Sequence, residues 1–225
     1  MFDFDEISAW DALRKEVRLI SLRQTTLFPH VVGHVRLETP QDVRLLEDAL
    51  TTDRFVAFAA DHRPDTIACF CRVISYRSLP GGGYDILVVG LRRLRVGEPL
   101  HRDNNDGWVQ AVLCEEPAPI DESREYRLYR RLLREMLTDF FEREEAEGQE
   151  SPFDQLFSSE VSLGGICDML ASMFDLESAE KQALLAETSV VRRAARLLRS
   201  LVALADERLY QRLRQSHLFT GFSNN

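Results

Sequence analysis

Up to about residue 117, apolar residues come in six short runs separated by turn-forming residues. Runs of this length, bounded by Gly, Pro, Asn and Asp, are typical of β-strands. The turn Pro-Gly-Gly-Gly at 80–83 joins the two longest runs, which predicts a hairpin. The predicted strands are 17–22, 31–37, 54–60, 66–77, 84–96 and 107–116.

One helix interrupts these strands. Thr39 is its predicted N-cap, Pro40 lies in its first turn, and Val43, Leu46 and Leu50 recur at helical spacing. Six short strands with a single helix predict a small closed or half-open β-barrel.

Two strands carry further information. The run at 66–77 has apolar residues on both alternating faces, so we expect it to be covered on both sides. Gly90 interrupts the next run and predicts a β-bulge at a corner of a closed sheet.

After residue 117 the apolar period changes from 2 toward 3.6, which predicts helices. Asp121 and Ser178 are the predicted N-caps of the first and third helix. The acidic stretch 142–152 predicts a solvated loop. The predicted helices cover about 122–141, 160–174, 178–187 and 189–214.

These patterns predict an α+β protein in which a β-rich lobe precedes an α-helical lobe, with Pro117 and Pro119 bracketing the junction. The predicted domains are an N-terminal extension (1–16), the β-rich lobe (17–117), the α-helical lobe (118–215) and a frayed tail (216–225).

Charge changes the list of possible partners. The chain has 28 Lys and Arg residues against 37 Asp and Glu residues, a formal net charge of −9. A global basic surface for nucleic acid is therefore missing. The first ten residues, MFDFDEISAW, are acidic, and no run approaches the ~18 apolar residues of a membrane helix. With four cysteines and no signal sequence, we expect a cytoplasmic protein with reduced thiols.

Several catalytic motifs are absent. A phosphate-binding loop ends in Gly-Lys, whereas Lys15 follows Arg14 and Lys181 follows Glu180. A Ser–Lys peptidase pair would need one of these two lysines, both in charge-rich sequence that we interpret as exposed and helical. No glycines are spaced four apart around a serine, no His precedes a Glu, and no CxxC occurs. The sequence therefore predicts a protein that is not an enzyme, with no catalytic residues, no cofactor and no metal site.

Three small clusters have two interpretations each. Arg92, Arg93 and Arg95 form a cationic group that could contact an anion or RNA phosphate, but the net negative charge favours an exposed face paired with acids. Cys69 and Cys71 share a strand face and are interpreted as buried, unreactive thiols rather than redox or metal ligands. His30 and His34 are interpreted as surface histidines rather than metal ligands.

Three stretches resemble the N-terminal substrate-binding domain of Lon proteases, in the form that occurs alone in many bacteria. The hairpin is the most specific of them: a Gly-rich turn, Tyr-Asp-Ile-Leu, and then Gly-Leu-Arg-Arg. The stretches are LRQTTLFPHVVGHVRLETPQDVRLLEDAL, CRVISYRSLPGGGYDILVVGLRRLRV and LESAEKQALLAETSVVRRAARLLRSLVALADERL.

The resemblance implies a PUA-like β pseudo-barrel followed by a helical bundle. It also implies a non-catalytic module that recognises unfolded or extended polypeptide, as an adaptor for a protease or chaperone in protein quality control. The motifs of the ATPase and peptidase modules of full-length Lon do not occur in this sequence. The alternative is an RNA-binding PUA-like protein, with Arg92, Arg93 and Arg95 as its phosphate contacts.

A β lobe joined to a helical lobe is expected to offer an apolar groove and sheet edges that can add a strand. The predicted peptide-contact residues are Leu27, Phe28 and Pro29, together with Gly83 and Tyr84 at the hairpin tip. For Phe28, packing in the core is an equally weighted alternative. Neither a membrane nor nucleic acid is an expected partner.

Overall fold

The computed structural model describes residues 15–100, 107–114, 123–141, 156–157 and 161–215. Within these ranges the chain forms an α+β fold, as predicted, and every predicted strand and helix has a counterpart in the same order. The elements are β1 (Glu16–Ser21), β2 (Val32–Leu37), α1 (Pro40–Thr51), β3 (Phe55–Ala59), β4 (Ile67–Ser78), β5 (Tyr84–Pro99), β6 (Trp108–Leu113), α2 (Arg124–Phe141), α3 (Leu163–Met173), α4 (Ser178–Ala186) and α5 (Val190–Gln215).

The strands form one sheet in the order β2-β5-β4-β3-β1-β6, and β6 also pairs with β5. Strands β1, β3, β4, β5 and β6 therefore close into a ring, which is possible because β5 is 16 residues long and reaches three partners. Strands β1 and β3 pair in parallel, and the other pairs are antiparallel. Strand β2 lies outside the ring and pairs with β5 alone among the described strands.

The predicted bulge is present in β5, where it pairs with β4. Cys71 pairs with Gly90 and Phe70 pairs with Arg92, so Leu91 is the extra residue. A bulge of this kind increases the local twist of a strand, which helps a sheet to close on itself.

Both faces of β4 are buried at its start, as its sequence predicted. Ala68 and Phe70 belong to one apolar cluster, and the alternate side chains of Cys69 and Cys71 are fully buried. The two Sγ atoms are 3.6 Å apart, and burial, followed by the neighbouring Cys69 thiol, raises the pKa of Cys71 well above its ordinary value. The prediction of buried thiols is confirmed.

Helix α1 is held to the sheet by a buried arginine. Arg18 on β1 donates from Nε to Asp48 at 2.6 Å and from one terminal nitrogen to Asp53 at 2.8 Å, and its guanidinium lies 4.5 Å from the centre of the Trp108 ring. Thr39 caps the start of the helix, as predicted, by accepting a hydrogen bond from the Asp42 N–H.

The contacts divide the chain into two compact units. Residues 168–188 group with the strands up to residue 116, and the remaining helical segments group together. Residues 168–188 thus belong to the strand-rich unit rather than to the unit formed by the other helices. The predicted lobes, 17–117 and 118–215, instead assume that the chain passes from one unit to the other only once.

The helical unit has its own core. Tyr126 on α2 accepts a hydrogen bond from the Leu163 N–H, and Arg130 donates to the carbonyls of Val161 at 2.8 Å and Phe157 at 3.0 Å. The buried side chains of this unit include Leu133, Leu137, Ile166, Ala194, Leu197 and Leu201.

Some local predictions need correction. Ser178 is the first residue of α4 rather than its N-cap, which is Glu177 with no side-chain cap bond. At α2, Ser123 accepts a hydrogen bond from the Tyr126 N–H. Lys15 lies in a turn before β1 and not in a helix.

Five predictions fall on residues that the structure does not describe. They are the junction at Pro117 and Pro119, the Asp121 cap, most of the N-terminal extension, the acidic loop at 142–152 and the tail at 216–225.

Candidate functional site

A groove of about 500 Å³ lies within the strand-rich unit, at the start of β2. Two side chains that line it are large, apolar and exposed: Val32 on β2 is 59% exposed, and Met173 at the end of α3 is 61% exposed. The groove is lined by Gln24, Thr25, Thr26, Leu27, Phe28, Val31, Val32, Gly33, His34, Ser172, Met173 and Lys181. Exposed apolar groups along a concave surface are typical of an interaction site.

Close backbone contact with β5 fixes the segment that forms one wall. The His30 N–H donates to the Gly90 carbonyl at 2.8 Å, and the Gly90 N–H donates to the Val31 carbonyl at 2.9 Å. A Cβ atom at Gly90 would lie 2.0 Å from the carbonyl oxygen of Phe28, so only glycine fits there. Gly90 therefore serves both the bulge of β5 and the docking of this segment.

Two polar groups on the groove lack partners. The Lys181 side chain on α4 is half-buried and makes no hydrogen bond or ion pair with any described residue. The Thr26 hydroxyl oxygen is buried and has no hydrogen-bond partner in the described structure. Buried polar groups are normally hydrogen-bonded to protein or to ordered water, so the Thr26 hydroxyl has unused hydrogen-bonding capacity.

A second cavity of about 220 Å³ shares Thr25, Thr26 and Leu27 with the groove. Its polar rim includes Asp61, whose carboxylate accepts hydrogen bonds from Arg63 at 2.8 Å and Thr66 at 2.8 Å. The Arg63 guanidinium is the main reason that the pKa of Asp61 falls to about 2. Asp61 is therefore a charged, already partnered group at neutral pH.

The face of β5 beside β2 carries a charge cluster around Asp85. Its carboxylate accepts from Arg77 at 2.8 Å and from Arg36 at 3.1 Å, and the His34 ring lies 3.7 Å away. Arg77, followed by Arg36, lowers the pKa of Asp85 below its usual 3.8. Next to this cluster, Leu87 is exposed.

The predicted contact residues have mixed positions. Leu27, Phe28 and Pro29 are all buried, so the expectation that they are exposed is wrong. The carbonyl of Phe28 lies against Gly90, which packs this segment into the core. Leu27 and Phe28 nevertheless line the groove.

The hairpin tip, formed by Gly83 and Tyr84, is not part of the groove. Gly83 is buried against the end of β2, where a Cβ atom would lie 2.6 Å from the Leu37 carbonyl oxygen, and Tyr84 is half-buried. The Tyr84 hydroxyl donates to Glu47 on α1 at 3.0 Å. Neither tip residue lines the groove, and peptide contact at the tip stays a prediction.

The three arginines on β5 do not form one face. Arg92 and Arg95 are exposed, but Arg93 is buried and forms a bidentate pair with Asp168 at 2.6 and 2.8 Å. The Nε of Arg93 also donates to the Leu185 carbonyl at 2.9 Å. After the bulge at Leu91, Leu94 points into the barrel cluster and Arg93 lies on the opposite face, where Asp168 and Leu185 cover it. The favoured interpretation of the three arginines as one exposed face is therefore wrong for Arg93, although Arg93 and Arg95 do pair with acids. An anion or RNA contact at Arg92 and Arg95 stays a prediction.

The groove residues Val32, Met173, Thr26 and Lys181 were not among the predicted contacts. The one signal in the sequence was the rarity of lysine, since Lys181 is one of only two. Among the described residues, no group of three or more His, Cys, Asp or Glu is placed to hold a metal ion. No helix in this part of the chain has the length and hydropathy needed to cross a membrane.

Residues 16–203 match the family model of the ATP-dependent protease La (LON) substrate-binding domain. This match covers most of the chain. The chain belongs to that family.

Relatives and solved structures agree with this assignment. The chain is 27% identical to the Lon protease of Brevibacillus choshinensis over 198 residues, which is 82% of this chain and 24% of that protein. It is 23% identical to Lon protease 1 of Bdellovibrio bacteriovorus, over 93% of this chain and 27% of that protein. The chain thus spans about a quarter of the length of these relatives.

The fold of this LON substrate-binding domain is similar to that of the N-terminal domain of the Mycobacterium avium complex Lon protease. The TM-score is 0.67 at 19% identity, covering 84% of this chain and 98% of that one. A Lon N-terminal domain protein from Xanthomonas campestris gives a TM-score of 0.59 at 20% identity, with 81% and 96% coverage. The similarity to known proteins lies in a substrate-binding domain and supports a role in substrate recognition.

Proposed function

We propose that this chain is a non-catalytic module that binds extended or unfolded polypeptide, as an adaptor that presents clients to a protease or chaperone. The observation that carries the proposal is the groove at the start of β2, with exposed Val32 and Met173 on its walls. An apolar client side chain that covers these two residues removes their surface from water, which favours binding.

The edge of β2 adds a second means of binding. Among the described strands, β2 pairs with β5 on one side and has no neighbouring strand on the other. An extended client pairing with that edge would gain main-chain hydrogen bonds whatever its sequence, while the groove would select side chains. This combination suits a module that accepts many clients.

The non-catalytic part of the proposal rests on the sequence. The Gly-Lys pair of a phosphate-binding loop is absent, and the family match is to a substrate-binding domain rather than to an ATPase or peptidase. The alternative function, RNA binding, has less support because Arg93 is buried in an ion pair with Asp168 and is not available for an RNA phosphate.

Fluorescence anisotropy with a labelled, permanently unfolded polypeptide tests the proposal. We expect weak binding, of about micromolar affinity, because ordering the client consumes much of the contact free energy. Val32→Ser should weaken binding about fivefold, since an apolar contact is lost. Val112→Ser is the matched control, because Val112 is 61% exposed on β6 and does not line the groove.

Equal losses for the two valine variants would show that the groove is not the binding site. Tight, strongly salt-dependent binding of structured RNA without any polypeptide binding would favour the alternative function. Hydrolysis of ATP or peptide by the purified chain would refute the non-catalytic assignment.

A further inference from the structure

The charges around the groove differ from those of the whole chain. The chain has 37 acidic residues, yet none of the residues that line the groove is Asp or Glu. The ionisable groups among them are Lys181 and His34. A cationic client side chain would meet no carboxylate among these lining residues, so the groove disfavours Lys and Arg at this position.

Lys181 has the position expected of an anion-binding residue. Its side chain is half-buried, lines the groove and is not engaged by any described carboxylate. Its ammonium has no described acidic partner, so an incoming carboxylate could pair with it without displacing one.

Thr26 supplies an independent observation on the same surface. Its hydroxyl oxygen is buried without a hydrogen-bond partner and its residue lines the groove. A hydroxyl can donate to a carboxylate, and a hydrogen bond to a charged group is stronger than one to a neutral group. Thr26 and Lys181 both line the groove, and each can donate a hydrogen bond to a negatively charged acceptor.

We infer that the groove selects client segments in which an apolar residue lies next to an Asp or Glu side chain, whose carboxylate pairs with Lys181 and Thr26. The apolar residue packs against Val32 and Met173. The inference rests on the proposed function and adds the charge of the preferred client. The carboxylate is assigned to a side chain rather than a chain end, because a client paired along the six residues of β2 continues past the groove.

Four fluorescein-labelled peptides, of which the first three are blocked at both ends, test this inference. They share an alternating Val and Ser framework with a central Phe, and the flanking residues are Glu, Gln or Lys; the fourth has Gln flanks and a free C-terminal carboxylate. We expect the Glu peptide to bind about fivefold more tightly than the Gln peptide, and the Lys peptide more weakly than both. This preference should shrink as salt is raised, because the groove is open to solvent.

The two lysines provide a matched pair of variants. Lys181→Glu should weaken binding of the Glu peptide about tenfold and improve binding of the Lys peptide, since the sign of the interaction reverses. Lys15→Glu makes the same change of net charge at an exposed residue outside the groove and should leave both affinities within about twofold. Lys181→Met keeps the length of the side chain and should remove the preference for Glu over Gln.

Thr26→Val separates binding from folding. Removing a hydroxyl that has no partner should not lower the thermal unfolding midpoint, while affinity for the Glu peptide falls about fivefold. Equal binding of the Glu and Gln peptides overturns the inference but leaves the proposed function standing. Preference for the free C-terminus alone overturns it in favour of chain-end capture. If no peptide binds, both the inference and the proposed function fail.

Discussion

Strands β4 and β2 both pair with β5, yet they have opposite roles. The first half of β4 lies between two strands and is buried on both faces, whereas β2 has one partner strand and alternates between buried and exposed residues. Phe70 on β4 is 2% exposed, while Val32 on β2 is 59% exposed. The buried apolar core is therefore in the ring, whereas the added strand carries an exposed apolar side chain on the groove.

This separation has a physical reason. A strand with two neighbours uses its backbone groups within the sheet, and a strand at an edge keeps one row of donors and acceptors available. Under the proposed function, substitutions on β2 can therefore change binding without loss of the ring.

The largest expected effect is in β4. Phe70→Ala should lower the free energy of unfolding by about 3–5 kcal/mol, because it leaves a cavity in the barrel core next to Phe55, whose ring stacks on Phe70 at 5.1 Å. Ile74→Ala, in the exposed part of the same strand, should cost less than about 1 kcal/mol. Urea unfolding of both variants measures the difference, and similar losses would mean that β4 is not the stabilising core described above.

A substitution at Gly90 on β5 should affect both the stability of the sheet and binding at the groove beside β2. Gly90→Ala should destabilise the protein by about 1–3 kcal/mol, because the new methyl group collides with the Phe28 carbonyl. It should also weaken binding at the groove, because the segment before β2 must move. Gly81→Ala is the control: Gly81 has a positive φ of 92° but open space around it. A larger loss at Gly81 than at Gly90, by urea unfolding, would contradict the packing described for this segment.

The smallest effect is expected at Asp85. Arg77, followed by Arg36, lowers the pKa of Asp85 in the folded protein below the unfolded value of 3.8. The ion pairs of Asp85 with these arginines therefore stabilise the protein above pH 3.8, and this stabilisation is lost as the pH falls through the folded pKa. Asp85→Asn should therefore unfold at lower urea than the wild type at neutral pH, by less than Gly90→Ala does. The difference should shrink as the pH falls below 3.8 and through the folded pKa of Asp85. A difference that grows on acidification would have the wrong sign for this cluster.

The elements were predictable because their signals are local. Short apolar runs between turn-forming residues identified every strand, Thr39 and Pro40 identified the start of α1, and Gly90 identified the bulge. The resemblance of the hairpin to Lon N-terminal domains identified the family. These signals depend on near neighbours in the chain, which the sequence displays directly.

The candidate site was less predictable because its partners are distant. For Phe28 the sequence left exposed contact and core packing open, because its burial depends on the contact with Gly90, which lies 62 positions away in the chain. Arg93 looked like part of an exposed cluster because nothing near it in sequence reveals Asp168. Lys181 was considered only as a catalytic lysine, and its place on the groove depends on β2 and α3 lying nearby.

The pair between Arg93 and Asp168 has a consequence for synthesis of the chain on the ribosome. The two residues are separated by 75 positions, and both belong to the strand-rich unit. At ~5–20 residues per second, Asp168 is made roughly 4–15 s after Arg93. From residue 113 until Asp168 is made, the sequence of all six strands exists without the carboxylate that neutralises the buried guanidinium. A nascent chain that stops between residues 114 and 168 therefore has an incomplete unit, and such chains should be more sensitive to protease than chains extended past residue 188.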